Sequence, residues 1–252
     1  MKSHLKSLIE KDMREDSRKL DEHRKIKIEY GISTSAEGSA RVTIGDTIVI
    51  AGVKMSLGTP FSDTPDEGVL IVNTELLPLS SPDFESGPPN IKSIELSRVV
   101  DRGIRESGAI DVKKLCIKKG EKVWLLNVDV YPLNDAGNLF DAASIAAIAA
   151  LKDTKIPVVK DDKVEYKKRG TKSLPLDGYP VECTVYMIGD KLIVDPTTEE
   201  EELVEARLTV ATYGNHLCAM QKGGVKGLTP EEVEKMVDLA VKKTDELRKL
   251  LK

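Results

Sequence analysis

Hydrophobic and polar side chains alternate through residues 26–33, "IKIEYGIS", and again through 40–56, "ARVTIGDTIVIAGVKMS". A period of two sends successive side chains to opposite faces of an extended chain, so both runs predict strands. Gly45-Asp46 interrupts the second run and predicts a hairpin turn there. Further strand-like runs stand at 69–79, 122–133, 181–188, 191–194, 205–213 and 216–221. Elsewhere the spacing of apolar residues lengthens to that of a helix. Residues 1–13 place Leu5, Leu8 and Ile9 on one face. Residues 91–107 carry Leu96, Val99, Val100 and Ile104 as a single stripe, with Asn90 as candidate cap and Gly108 as stop. The stretch "DAASIAAIAALKD" (141–153) predicts a small-residue helix packed closely on a sheet or second helix, with Asp141 as its cap. A last helix starts at Thr229-Pro230-Glu231-Glu232, a cap, a proline at the first helical position and acids at the positive dipole end, and runs to about 250.

Between these elements, 56–68 and 80–90 are rich in Pro and Gly and read as loops, the first of them mobile. The stretch 160–173, "KDDKVEYKKRGTKS", is charged and is expected to be exposed. The order of strands and helices predicts an α+β chain. It divides into a helix and lead-in (1–30), a first half (31–157) and a second half (158–252). No repeat of fixed short period is present.

Length and composition narrow the functional classes. The 252 residues, 40% hydrophobic and 32% charged, can bury a large core. A formal net charge of −4 argues against a protein that coats nucleic acid non-specifically, so any phosphate binding needs a local basic patch. Cys116, Cys183 and Cys218 are widely separated, which suits neither a disulfide framework nor a compact zinc motif. His216-x-Cys218 reads as strand residues rather than ligands, and no metal or cofactor is expected. No apolar stretch is long enough to span a bilayer. The amphipathic, acid-containing start is unlike a signal peptide, and a soluble cytoplasmic protein is expected.

Three groups of residues could carry chemistry. Arg98, Arg102 and Arg105, spaced four and three apart, share one stripe of the 91–107 helix. Guanidinium groups at about 5–6 Å intervals suit the phosphates of a nucleic-acid strand. The same residues also stand at ion-pair spacing from Glu95, Asp101 and Glu106, so spacing leaves both readings open. Glu199–Glu202, with Asp195 before them, are consecutive rather than convergent, and read as a solvated acidic turn. The Gly-rich "QKGGVKGLT" (221–229) matches no phosphate-cradle motif and reads as a hairpin or bulge. His4, His23 and His216 accompany no nucleophile motif.

Several stretches together resemble the RNase PH family, and within it the non-catalytic ring subunit of the archaeal exosome. "REDSRKLDEHRKIKIEYG" (14–31) is similar to the family's opening R-x-D-G-R motif, with Ser17 in place of the usual glycine. "GSARVTIGDTIVIAGVK" (38–54), "IELSRVVDRGIRESGAIDVKKLCI" (94–117), "VWLLNVDVYPLNDAGNLFDAASIAAIAAL" (123–151) and "PLDGYPVECTVYMIGDKLIVDPTTEEE" (175–201) follow in the family's order. The resemblance implies an RNase PH-like fold of two βαβα-type halves with mixed sheets and packed helices. It also implies pairing with a catalytic RNase PH-like subunit, as heterodimers that close into a trimer of dimers carrying RNA-binding cap subunits. Such a ring threads single-stranded RNA and degrades it from the 3′ end by phosphorolysis.

The departures from the family pattern bear on catalysis. Catalytic members carry a Thr-Arg phosphate motif at the start of the small-residue helix, where this chain has Leu139 and Phe140, followed by Asp141. They also carry an aspartate in a stretch resembling E-A-D-x-x-x-A; here "EARLTVA" puts Arg207 at that place. The resemblance therefore implies a subunit that does not catalyse alone but contacts RNA through Arg98 and Arg102, with Arg105 as a third member shared with Asp101. The alternatives are a self-sufficient phosphorolytic exoribonuclease using Asp195 or Glu205, and an architectural subunit without RNA contact.

Overall fold

A computed structural model describes residues 2–160, 163–166 and 170–252. Within the predicted charged stretch 160–173, residues 161–162 and 167–169 lie outside the described residues, as does Met1 of the first helix. Up to residue 153 the chain forms, in order, α1 (Lys2–Glu10) and β1 (Ile26–Tyr30) in the lead-in, then β2 (Gly38–Ile44), β3 (Thr47–Gly58), β4 (Val69–Thr74), α2 (Ile91–Arg105), β5 (Cys116–Lys118), β6 (Lys122–Asn134) and α3 (Leu139–Asp153) of the first half. Short strands β7 (Lys155–Ile156), β8 (Val159–Lys160), β9 (Lys163–Val164) and β10 (Lys172–Ser173) connect it to the second half. That half contains β11 (Val181–Ile188), β12 (Lys191–Val194), α4 (Thr198–Glu201), β13 (Ala206–Tyr213), β14 (His216–Gly224) and α5 (Pro230–Leu250).

The first sheet runs β1-β2-β3-β6-β4, with β5 on β6, and only the β4–β6 pair is parallel. The crossover between those two strands carries α2, as a parallel connection requires. The second sheet, β12-β11-β13-β14, is antiparallel throughout. Mixed pairing, expected in both halves, is therefore confined to the first, because tight turns link β11 to β12 and β13 to β14.

Local signals placed many elements. Gly45 takes φ 56° and turns β2 into β3 as the alternation predicted. Asn90 caps α2, its side-chain oxygen accepting the Ser93 N–H at 3.0 Å, an arrangement that contributes about 1 kcal/mol. Thr229 and Glu232 form a reciprocal capping box on α5. Ser17 holds φ 64°, the left-handed conformation that the family's glycine would adopt freely.

α3 differs from expectation at its start. Asn138, at φ 61°, is the cap position, and Asp141 is fully buried in the first turn. Its Oδ1 accepts the Thr184 N–H of β11 at 2.8 Å and its Oδ2 accepts Asn138 Nδ2 at 3.1 Å, so it ties the cap residue to the second sheet instead of capping the helix itself. Every residue of α3 from Asp141 to Leu151 is buried, with the helix packed between β2 and β3 on one side and β11 on another. Alanines permit that close approach. Leu96, Val100 and Ile104 turn the apolar stripe of α2 into the same core, and Val99 is buried toward the second sheet, each burial stabilising by roughly 1.5–3 kcal/mol. Among the described residues no helix is long and apolar enough to cross a membrane.

Candidate nucleic-acid interface and the cleft beside it

α2 lies low on the second sheet because Gly103 faces Glu182 of β11. A Cβ at Gly103 would collide with the Glu182 carboxyl group. Glu182 is buried, which pushes its pKa well above the usual carboxylate range, and the nearby charge of Asp141 adds to that shift. Glu182 thus sits in the seam between α2 and the second sheet. With one side of α2 fixed against this seam, the arginine stripe faces outward.

Arg98 and Arg102 are both exposed, and neither guanidinium has a hydrogen bond or ion pair among the described residues. The Arg102 stem lines the seam against Met220 and Gln221 of β14. Of the three ion pairs that spacing allowed on this helix, one forms. Asp101 accepts Arg105 Nε at 2.9 Å and Nη2 at 2.6 Å, and Arg105 also donates to the Leu70 carbonyl at 2.9 Å. The structure thus separates two open cations from a third that is already engaged.

Glu95, a candidate partner for Arg98, turns instead to Arg207 of β13, at 2.7 Å. The Arg207 guanidinium also lies over the Phe140 ring, 4.5 Å from its centroid. Gly223 of β14 leaves room for it, since a Cβ there would strike the guanidinium. Arg207 is thus held by charge on one side and by an aromatic face on the other.

Next to this pair lies a cavity of about 200 Å³, lined among others by Phe84, Leu96, Leu139 and Phe140. Glu201 also reaches it, and its Oε1 accepts the Asn138 N–H at the start of α3, at 2.8 Å. A helix N-terminus attracts anions through its free amides and dipole; here the chain's own carboxylate takes that place. Burial raises the Glu201 pKa to about 7, opposed by the bond from Asn138.

The acidic turn is therefore not uniformly solvated, as its sequence suggested. Glu199 and Glu202 are exposed, but Glu200 is buried and Glu201 faces the cavity. Glu200 closes a capping box with Thr197 and receives Arg14 Nε at 2.9 Å. The T-x-x-E pattern at Thr197–Glu200 was a readable sign of that turn; nothing local marked Glu201.

Asp195 is fully buried and committed. Its carboxylate accepts Arg24 N at 2.7 Å and Nη2 at 2.7 Å, Arg18 Nη1 at 3.0 Å and Asn138 Nδ2 at 3.0 Å. Burial pushes its pKa up, but the bonds and charge of Arg24 outweigh that and hold it below the usual value. Glu205, the other carboxylate considered for catalysis, lies 3.5 Å from Lys226. His216 and Cys218 lie on edge strand β14, the thiol donating to the His216 carbonyl at 3.7 Å.

The 3′ exoribonuclease family, RNase PH, matches this chain in both of its domains, domain 1 over residues 22–157 and domain 2 over 178–243. An exosome complex component Rrp42 from Methanocella arvoryzae is 50% identical over 99% of this chain and 95% of its own length. A chain of the Archaeoglobus fulgidus exosome, solved with RNA bound to the active site, superimposes with a TM-score of 0.93. It is 45% identical, over 100% of this chain and 97% of that one. A chain of an archaeal exosome core gives a TM-score of 0.88 at 42% identity, over 99% and 95% of the two chains.

Proposed function

The chain belongs to the RNase PH family of 3′ exoribonucleases, and from that membership we propose that it is a non-catalytic, RNA-binding subunit of an exosome ring. Its relatives' designation as exosome component Rrp42 and its likeness to an exosome chain solved with RNA support this reading. In the proposed assembly it pairs with a catalytic RNase PH-like subunit, three pairs close the ring, and RNA-binding cap subunits sit on it in the cytoplasm.

One observation carries the non-catalytic assignment. Phosphorolysis needs a place for inorganic phosphate, whose oxygen attacks the terminal phosphodiester as the preceding ribose oxygen leaves. At the start of α3 the Glu201 carboxylate occupies the Asn138 amide at 2.8 Å. Leu139, Phe140 and Asp141 add no cation there, and Arg207 is engaged by Glu95. An incoming phosphate would meet a carboxylate where it needs a donor.

The RNA-binding role rests on Arg98 and Arg102, which project open guanidinium groups from a rigid helix. They hold the phosphates of single-stranded RNA as it approaches the partner's active site. Arg105, bound to Asp101 and the Leu70 carbonyl, lends charge to the stripe rather than a contact. The test is phosphate-dependent RNA decay by the purified chain, the purified partner and the assembled ring. No decay by the chain alone is expected, and robust decay by it would refute the assignment. In the ring, Arg98→Glu with Arg102→Glu should weaken RNA binding at unchanged assembly mass; unchanged RNA affinity would favour a purely architectural subunit.

A further inference from the structure

Three side chains distant in sequence meet behind the start of α3, outside the interface just described. His23 comes from the lead-in before β1, Asp141 from the first turn of α3, and Cys183 from β11. One donor atom of each lies within 4.8 Å of the other two. His23 Nε2 is 3.5 Å from Asp141 Oδ2, and the imidazole is 8% exposed. That nitrogen is buried and has no hydrogen-bond partner among the described residues. Asp141 and Cys183 are both fully buried.

We propose that His23, Asp141 and Cys183 form a binding site for a zinc-class divalent cation that pins the lead-in segment to both halves of the chain. A tetrahedral ion with bonds of about 2.0–2.3 Å holds its donor atoms roughly 3.3–3.8 Å apart. The His23–Asp141 separation falls in that span, while being long for a hydrogen bond. The donor set selects the metal: a thiol with an imidazole favours zinc over magnesium or calcium. The carboxylate is held in place from outside, Oδ1 by Thr184 N at 2.8 Å and Oδ2 by Asn138 Nδ2 at 3.1 Å. Such outer bonds orient a metal ligand.

Burial, and then the charge of Asp141, keep the Cys183 thiol protonated when no ion is present. Binding releases that proton to solvent and forms the metal–thiolate bond. One thiolate and one carboxylate then balance the charge of the ion, so the buried site is neutral. Water completes the fourth position.

The proposal is independent of the exosome assignment, and cobalt(II) tests it because cobalt–thiolate bonds absorb strongly. The full chain, treated with chelator and dialysed, is titrated with cobalt chloride. One ion per chain and a thiolate-to-cobalt charge-transfer band are expected, both persisting in a Cys116→Ser, Cys218→Ser variant. His23→Gln, at a lead-in residue whose side chain is 8% exposed, should weaken binding about tenfold or more. Circular dichroism checks that this variant is folded. Cys183→Ser should abolish the band. No uptake, uptake without the band, or unchanged affinity in His23→Gln would each overturn the site.

Discussion

On α2, Arg98 and Arg102 stand exposed without partners among the described residues. Across the cleft Arg207 lies between the Glu95 carboxylate and the Phe140 ring. The three are the same residue type, close together in the fold, and their availability is opposite. An arginine becomes a ligand site when its helix is fixed and its guanidinium is not. It becomes structural when the surrounding residues supply an anion and an aromatic face. Glu95 makes the distinction on α2, since by turning to Arg207 it leaves Arg98 open. Glu201 makes it on α3, by occupying the helix N-terminus from within.

The closed side of the comparison depends on the anchoring of α4, and the largest effect is expected there. Arg14 and Glu200 form an ion pair whose side chains are 0% and 4% exposed, and Arg14 also donates to the carbonyls of Val194 and Asp195. Arg14→Ala would leave Glu200 buried without its cation, a change that costs about 3–5 kcal/mol. Denaturant unfolding should show that loss. A change below about 1 kcal/mol would mean that the acidic turn holds itself.

The open side is tested through RNA. Arg98→Ala with Arg102→Ala in the assembled ring should weaken single-stranded RNA binding about 10- to 100-fold, or ~1.4–2.8 kcal/mol. Each lost phosphate contact should also flatten the dependence of log affinity on log salt by about 0.7. Lower affinity with an unchanged salt slope would mean that the arginines act on the ring's shape rather than on phosphate. Arg207→Ala should leave that slope as it is.

Which of these features the sequence disclosed follows from the range of each interaction. Asn90 above α2, the Gly45 turn, the Thr229 box and the buried stripe of α2 depend on residues within a few positions, and pattern found them. The acidic turn depends on Arg14, 186 residues from Glu200, and on Asn138, 63 residues from Glu201. Sequence spacing carries no trace of such pairings, so four glutamates read as solvated when two are anchored. Glu95 was within helical reach of Arg98, and only the placement of β13 beneath α2 decides for Arg207. Asp141 likewise read as a helix cap because its partner, Thr184, belongs to the other half.

Glu201 makes the closed side pH-dependent. Its pKa rises from 4.5 to about 7 on folding, so the native state keeps its proton where the unfolded chain has lost it. Between about pH 4.5 and 7 this group therefore makes stability fall as pH rises, by on the order of 1–3 kcal/mol. Glu201→Gln, neutral throughout, should flatten that part of the stability curve. A wild-type stability that climbs from pH 5 to 7 as steeply as that of the variant would place the Glu201 charge in solvent, and the start of α3 would then be open to an anion.

Arg105 supplies the smallest effect and the sharpest control. It shares a stripe with Arg98 and Arg102, and a purely electrostatic view would expect all three to matter equally. Its guanidinium, however, is bonded to both oxygens of Asp101, with side chains 49% and 22% exposed. That bonding raises its pKa further, opposed by burial. A half-exposed pair four residues apart on a helix contributes about 0.3–0.5 kcal/mol. Arg105→Ala should therefore cost that much stability and change RNA affinity less than about twofold. The released Asp101 adds a negative charge to the same face, so even this small change should appear at low salt and vanish at high salt. A tenfold loss would show that RNA draws Arg105 away from Asp101, and the contrast between free and engaged arginines would then hold only for the unbound chain.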